Sequence, residues 1–519
     1  MNDNYNRREF LRQMGISFSS LILGGLACNK ISRKLPNIVY ILADDMGYGD
    51  VSCFNPESKI PTPNMDQLAK KGIVFTDAHS GSAVCTPSRY GILTGRYNWR
   101  TRLQEGVLSG YSRPLIDRDR ITVASLLKNH GYSTACIGKW HLGLGWQMNN
   151  GYQSSVSSEE NEEHVDYSKP IINGPTELGF DYFFGIPASL DMTPYVYIEN
   201  DQVVESPTIT VEGDDGLAFY RGGPCAPNFK HDEVLPTFTK KAIDFIDNHD
   251  KTKANSPFFL YFPLSAPHTP ILPTKEFQGK TSIGDYGDFV YQCDWTIGQV
   301  MAALEHNGMA ENTLFIVTSD NGCSPLVDFD ELAEKDHYPS YHFRGYKADI
   351  YEGGHRIPFI ARWYGKIKSG SICDETICLT DLLATVADIL EVELPNNAGE
   401  DSVSILPDLL STAQKPIREA TIHYSLYGSF SIRHGNWKLE LCPGSGGWSE
   451  PRPKEAQKAG LPKVQLYDLS KDVGERKNVY DKNPEIVKRL TMLLQGYIDR
   501  GRSTPGMPQK NDVEVKIWK

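Results

Sequence analysis

Five short apolar runs, separated by stretches of helical texture, limit what this chain can fold into more than any single residue does. They are residues 37–42 (NIVYIL), 72–75 (GIVF), 134–137 (TACI), 257–262 (PFFLYF) and 313–317 (TLFIV). Each is a continuous β-favouring run without polar alternation, the pattern of a strand buried on both faces. Helix-like segments lie between them at 64–71, 122–129, 238–248 and 288–307. Strands alternating with helices predict an α/β sheet with helices on both sides. With 519 residues, 40% of them hydrophobic, the chain has enough material for that sheet and a smaller second unit. From about residue 365 the texture changes. A helix is expected at 381–390, short antiparallel strands at 421–424, 429–433 and 437–441, and a closing helix at 485–498. The expected organisation is a catalytic unit over 36–365 and a C-terminal α+β unit over 366–519 that completes the site. The acidic stretch within 147–175 reads as a solvated surface loop.

Residues 1–28 read as an export signal. Arg7 and Arg8 precede a modest apolar stretch at 16–27, as in twin-arginine signals, and the stretch is too short to span a bilayer. Gly25-Leu26-Ala27-Cys28 fits a lipoprotein site with Cys28 lipidated, and equally an ordinary small-x-small cleavage. The expected location is therefore the periplasm or the outer membrane of a bacterium. Export machinery would be a partner, and a lipid anchor the only membrane contact. A net charge of -12 argues against a nucleic-acid partner, because phosphate binding is driven by Lys and Arg. Ten cysteines contain no C-x-x-C pair, and the Cys373/Cys378 spacing is a weak disulfide signal.

The chemistry-bearing residues lie just past the apolar runs. Asp44-Asp45 comes after the first, Gly138-Lys139-Trp140-His141 after the third, Ala266-Pro267-His268 after the fourth and Ser319-Asp320-Asn321-Gly322 after the fifth. Polar groups at strand C-terminal ends converge on one sheet edge, where open α/β proteins bind ligands. An Asp-Asp pair alone usually marks a turn, and a lone histidine is usually structural; four such groups in one relation to four strands favour a site. Asp44, Asp45, Asp320 and Asn321 offer hard oxygen donors suited to Ca2+, with Mg2+ as the alternative. Histidines 141 and 268 suit general acid and base roles. Arg89, Lys139 and Lys347 suit stabilisation of developing negative charge. Cys85, two residues before Pro87, is placed at the N-terminus of a helix, where free N–H groups favour an anion. The set is an apparatus for a sulfate or phosphate ester.

The stretch Cys85-Thr86-Pro87-Ser88-Arg89, continuing to Leu93-Thr94-Gly95-Arg96, resembles the signature of the type I sulfatases of the alkaline phosphatase superfamily. The similarity runs from Pro36 to about Trp363 and takes in GKWHLG at 138–143, APH at 266–268, SDNG at 319–322, and Lys347 with YEGG at 351–354. The resemblance implies an alkaline-phosphatase-like fold with a large mixed central sheet. It implies oxidation of Cys85 to formylglycine by a separate maturation enzyme. The hydrated aldehyde would attack sulfur with one hydroxyl, with Asp320 activating it and Cys85 also reaching the metal. Arg89 and Lys139 would hold the diol and sulfate, His268 with Lys347 would assist the leaving alcohol, and His141 would deprotonate the second hydroxyl to release sulfate. Residues 185–191 (GIPASLD) resemble the segment lining the substrate pocket of arylsulfatase A-like and N-acetylgalactosamine-6-sulfatase-like enzymes. Asp191, His355 and Arg356 are thus candidate sugar contacts. The expected activity is exo-hydrolysis of 4-O or 6-O sulfate on galactose or N-acetylgalactosamine of glycosaminoglycan- or mucin-type glycans. The alternatives are a phosphodiesterase or phosphonate monoester hydrolase, and a non-catalytic glycan-binding lipoprotein.

Overall fold

A computed structural model describes residues 34–149, 164–253 and 256–518. The expected export signal at 1–28, with Cys28, and the acidic run at 157–163 lie outside the described residues. Residues Pro36–Lys519 form one compact unit.

Its centre is a ten-stranded mixed sheet. The strands are β1 (Asn37–Asp44), β2 (Ile73–Phe75), β3 (Ser133–Lys139), β4 (Tyr182–Ile186), β5 (Ile198–Glu199), β6 (Gln202–Val203), β7 (Phe258–Pro267), β8 (Thr313–Ser319), β9 (Phe359–Arg362) and β10 (Ser371–Cys373). Their order across the sheet is β10-β2-β9-β8-β1-β7-β3-β4-β5-β6. The middle block β8-β1-β7-β3-β4 is all parallel. Four of its five strands, β1, β3, β7 and β8, are apolar runs, buried along their length because helices cover both faces. The flanks are antiparallel at β8–β9, β9–β2, β4–β5 and β5–β6.

Two helix groups flank the sheet. α1 (Pro63–Lys70), α4 (Val234–Lys253) and α5 (Asp285–His306) pack together, as do α2 (Cys85–Thr94), α3 (Val123–Asn129) and α7 (Leu382–Leu390). Thr122 caps α3 by accepting a hydrogen bond from the Ser125 N–H at 3.0 Å. Gly95 ends α2 in the left-handed region (φ 62), and a Cβ there would meet Ser402 at 2.8 Å. The short α6 (Glu352–His355) lies against the loop that leaves β8.

A second sheet, antiparallel throughout, is formed by β11 (Thr421–Tyr424), β12 (Phe430–His434), β13 (Trp437–Glu440) and β14 (Gln465–Asp468). Its core is shared with α8 (Pro484–Asp499) and with Tyr97 and Trp99, which come after the α2 helix. Five strands of the large sheet are not among the apolar runs. One is β9, where Arg362 interrupts the pattern; its guanidinium is buried, 4.6 Å from the Tyr364 ring centre and 5.7 Å from that of Phe315. Cys373 and Cys378 are both free thiols.

Candidate active site

The parallel block brings the C-terminal ends of β1, β3, β7 and β8 to one edge, and the expected groups meet there. Lys139, at the end of β3, donates to Asp44 Oδ2 at 2.6 Å and to Ser189 Oγ at 3.0 Å. Arg89, one turn into α2, donates to Asp320 Oδ2 through Nη2 at 2.8 Å and Nε at 3.1 Å, and its Nη2 lies 3.4 Å from Asp44 Oδ1. Lys347 donates to Asp45 Oδ2 at 2.7 Å, and His268 Nε2 stands 3.6 Å from the same oxygen. Asn321 donates its amide to Asp45 Oδ1 at 2.7 Å. Potential ligand atoms of Asp44, Asp45, Cys85 and His268 all lie within 4.8 Å of one another. Asp45 (φ 68), His141 (φ 56) and Ala348 (φ 79) hold left-handed backbone around this centre. Such strain persists where the surroundings fix an unusual geometry.

The donor set fits a hard cation. Asp44 Oδ1 and Asn321 Oδ1 are buried and have no hydrogen-bond partner, a costly state that a bound cation relieves. Asp44, Asp45, Asp320 and Asn321 would hold it. The two carboxylates are tuned apart. Burial raises the proton affinity of each, but at Asp44 the charges of Lys139, His268 and Arg89 prevail and hold it well below the usual range. At Asp320 burial and the Asp44 charge prevail, lifting the carboxyl to about 7.

Cys85 is the first residue of α2, only 2% exposed. Burial pushes its thiol up to about 12, against Lys139 and Lys347. It is thus fully protonated at neutral pH, a poor nucleophile in that form. His141 is equally buried, and burial with the Lys139 and Arg89 charges holds its pKa well below the ordinary value. The ring is neutral. Its Nε2 lies 2.7 Å from the Leu108 carbonyl, which only accepts, so Nε2 carries the proton. Nδ1, buried without a partner, is left with a free lone pair. His268 Nδ1 donates to the Thr269 carbonyl at 2.7 Å, which directs Nε2 toward Asp45 and Ser189.

This geometry has relatives. The Sulfatase family profile matches residues 36–392. An N-acetylgalactosamine-6-O-sulfatase of Bacteroides thetaiotaomicron is 35% identical over 510 residues, covering 90% of this chain and 94% of its own. The chain belongs to the sulfatase family. Human arylsulfatase A is 32% identical over 505 residues, covering 91% of this sulfatase and 90% of its own chain. A solved Bacteroides thetaiotaomicron sulfatase, described with the metabolism of multiple glycosaminoglycans, superposes with a TM-score of 0.77. It is 35% identical and covers 89% of this chain and 99% of its own. The sulfatase is accordingly a sulfuric ester hydrolase with the alkaline-phosphatase-like architecture expected for it.

The three candidate sugar contacts fall in different places. Asp191 sits at the rim of the catalytic cluster. Burial raises its pKa, but the His268, Arg221 and Lys139 charges hold it below the ordinary carboxylate value. It pairs with Arg221, a residue no sequence pattern singled out. Ser189, which joins Lys139 to His268, was also missed, although it lies inside the quoted 185–191 segment. His355 and Arg356 are placed elsewhere, in a second charged cluster beneath the small sheet. His355 is fully buried, with Nδ1 3.0 Å from His79 Nδ1 and Nε2 3.1 Å from both the Ile350 carbonyl oxygen and Lys438 Nζ. Arg356 donates to Thr76 O at 2.7 Å and to Glu352 at 2.9 Å, and pairs with Asp77 at 2.5 Å. At the end of α6, His355 turns toward Lys438 of the C-terminal sheet and Arg356 toward Thr76 and Asp77, so buried His355 has no face to offer a sugar here. His79, His355 and His423 also lie close enough for a metal. However, the His355 and His423 rings stack 3.8 Å apart at 4°. Their in-plane lone pairs therefore run parallel and do not converge on one ion.

Proposed function

We propose that this sulfatase is an exported, exo-acting carbohydrate sulfatase that removes 6-O or 4-O sulfate from galactose or N-acetylgalactosamine residues, with Cys85 matured to formylglycine and Ca2+ as its metal. The observation that carries the reading is Cys85 itself. It is buried at a helix N-terminus near Lys139 and Lys347, one turn from Arg89, and burial disfavours its thiolate, which supports a residue that is converted before it serves as nucleophile. The 35%-identical relative named an N-acetylgalactosamine-6-O-sulfatase supports the sugar and favours the 6-position. The Arg7-Arg8 signal supports export.

Matured and loaded, the centre gains a geminal-diol nucleophile and a Lewis acid for the sulfate oxygens. The chain's own residues supply the rest. Arg89, Lys139 and Lys347 bind the sulfate oxygens and stabilise the charge that builds on them. His268, oriented by its Thr269 bond, would act as the imidazolium, giving its Nε2 proton to the departing alcohol oxygen and keeping the Nδ1 proton on the Thr269 carbonyl. His141 takes a proton at Nδ1, the free lone pair left by its Leu108 bond. The burial of the cluster excludes bulk water. A panel of mono-sulfated galactose and N-acetylgalactosamine, assayed with enzyme from a host that supplies the maturation enzyme, tests the proposal. Sulfate release from the 6-sulfated or 4-sulfated sugars is expected; turnover of aryl sulfates alone would overturn the sugar assignment.

A further inference from the structure

We propose that the segment 101–118 carries a second oxyanion site, apart from the catalytic centre, that takes a sulfate or carboxylate group of the glycan beyond the ester being hydrolysed. This rests on the carbohydrate reading above. A cavity of about 430 Å3 opens along this segment, and Arg102, Arg113 and Arg118 are among the residues that line it. Arg118 is paired with Glu177 at 2.8 Å. Among the described residues Arg102 and Arg113 have no ion pair. Of the carboxylates that line the cavity, Asp512 is committed to Arg96 at 2.9 Å, and Asp117 faces Arg102 without pairing.

Arg102 is the informative residue. It is half-buried, and its Nη2 donates to the backbone carbonyl of Arg113 at 2.7 Å, which ties the Arg102 side chain to that turn of chain. Its Nε is buried without a partner. Burial, and then the Arg113 charge, lower its pKa from the ordinary arginine value. The nearby Arg113 charge and the unsatisfied buried N–H are both costly to Arg102, and an oxyanion relieves both by bidentate guanidinium bonds. In a protein of net charge -12 such a cationic cavity stands out from its surroundings. The same segment reaches the catalytic centre at its middle. The Leu108 carbonyl holds His141 at 2.7 Å, and the Leu108 N–H donates to Thr86, beside Cys85, at 3.2 Å. A glycan with one sulfate at Cys85 is thus offered a second cationic contact by a continuous stretch of chain.

Arg102→Ala/Arg113→Ala in the matured, metal-loaded enzyme tests this. The probes are a sulfated oligosaccharide with a second anionic group, the matching 6-sulfated monosaccharide, and inorganic sulfate. For the oligosaccharide, KM should rise by roughly tenfold with kcat unchanged, the size of one lost charged contact, while monosaccharide kinetics stay as in wild type. Equal responses to both sugars would overturn the proposal. Calorimetric titration with inorganic sulfate should show one binding event fewer in the double variant. If that event is lost while oligosaccharide KM is unmoved, the site serves free sulfate and the glycan assignment falls. If the event persists, the site itself falls. Wild-type enzyme inactive on every sulfated sugar would instead overturn the carbohydrate reading, and the sulfate titration would still decide the site. Should the alanine pair fail to fold, Arg102→Gln/Arg113→Gln keeps the volume and removes the charge.

Discussion

Among single residues, Asp44 and Asp320 share one pocket and hold their protons differently. A carboxyl raised to about 7, as at Asp320, stabilises the fold fully only below its unfolded-state value of about 4. That contribution is lost as pH rises through 7. A cation needs the ionised form, so its binding must displace this proton below pH 7. The rise in Tm produced by Ca2+ over chelator-treated protein should therefore grow between about pH 5 and about pH 8. Thermal melts at both ends of that range measure it, and an increment independent of pH would contradict the assignment of Asp320 as a ligand. Lys139 neutralises Asp44 and faces the sulfate. Lys139→Ala should lower kcat/KM by about 10² to 10³, read by steady-state kinetics. Cys85→Ser offers one hydroxyl where the matured residue would offer two. It should take up sulfate once and stop, visible as a stable mass increase of the protein; repeated turnover by this variant would count against the mechanism.

Among the elements, strand ends decide the geometry. Gly138 (φ 133) immediately precedes Lys139 on β3, and a Cβ there would stand 1.8 Å from the Pro263 carbonyl oxygen on β7. Gly138→Ala should cost roughly 3–5 kcal/mol, seen as a lower urea midpoint, and should disturb Lys139 as well. The middle of the sheet was readable in the sequence because β1, β3, β7 and β8 are continuous apolar runs buried on both faces. The metal-type and catalytic residues were readable for a related reason, since most stand just past such a run or open α2. The edge strands were not. β5 and β6 are two residues long; an inner strand was missed as well, because β9, between β2 and β8, carries a buried arginine that breaks the pattern. Nor could sequence show that the Leu108 carbonyl selects the His141 tautomer, or that Arg221 meets Asp191. Both contacts join segments about thirty residues apart, and the partner in the first is a backbone group with no residue signature.

Across the whole molecule, the small sheet is tied to the large one through buried charge. Lys438 on β13 reaches Glu475 at 2.6 Å, Glu352 at 3.2 Å and Glu440 at 3.3 Å, all without solvent exposure. Arg100, just after the catalytic helix, pairs with Asp401 at 2.8 Å. His355 and Arg356 belong to the Lys438 network, which explains why motif residues so close in sequence to Lys347 point away from the Asp44–Asp320 cluster. Removing Lys438 leaves carboxylates buried and unpaired. Lys438→Met should cost about 3–5 kcal/mol at neutral pH. Without the cation these carboxyls bind protons more readily, so the loss should shrink as pH falls; urea unfolding at neutral and mildly acidic pH checks the sign. On the reading proposed above, the fold as a whole serves Cys85, which, helped by the cations around it, would become the nucleophile of a carbohydrate sulfatase. The decisive quantity is the mass of the peptide carrying Cys85, from catalytically active protein made in a host with the maturation enzyme. An aldehyde in place of the thiol is predicted; an unmodified cysteine in protein that still hydrolyses sulfate esters would contradict that role.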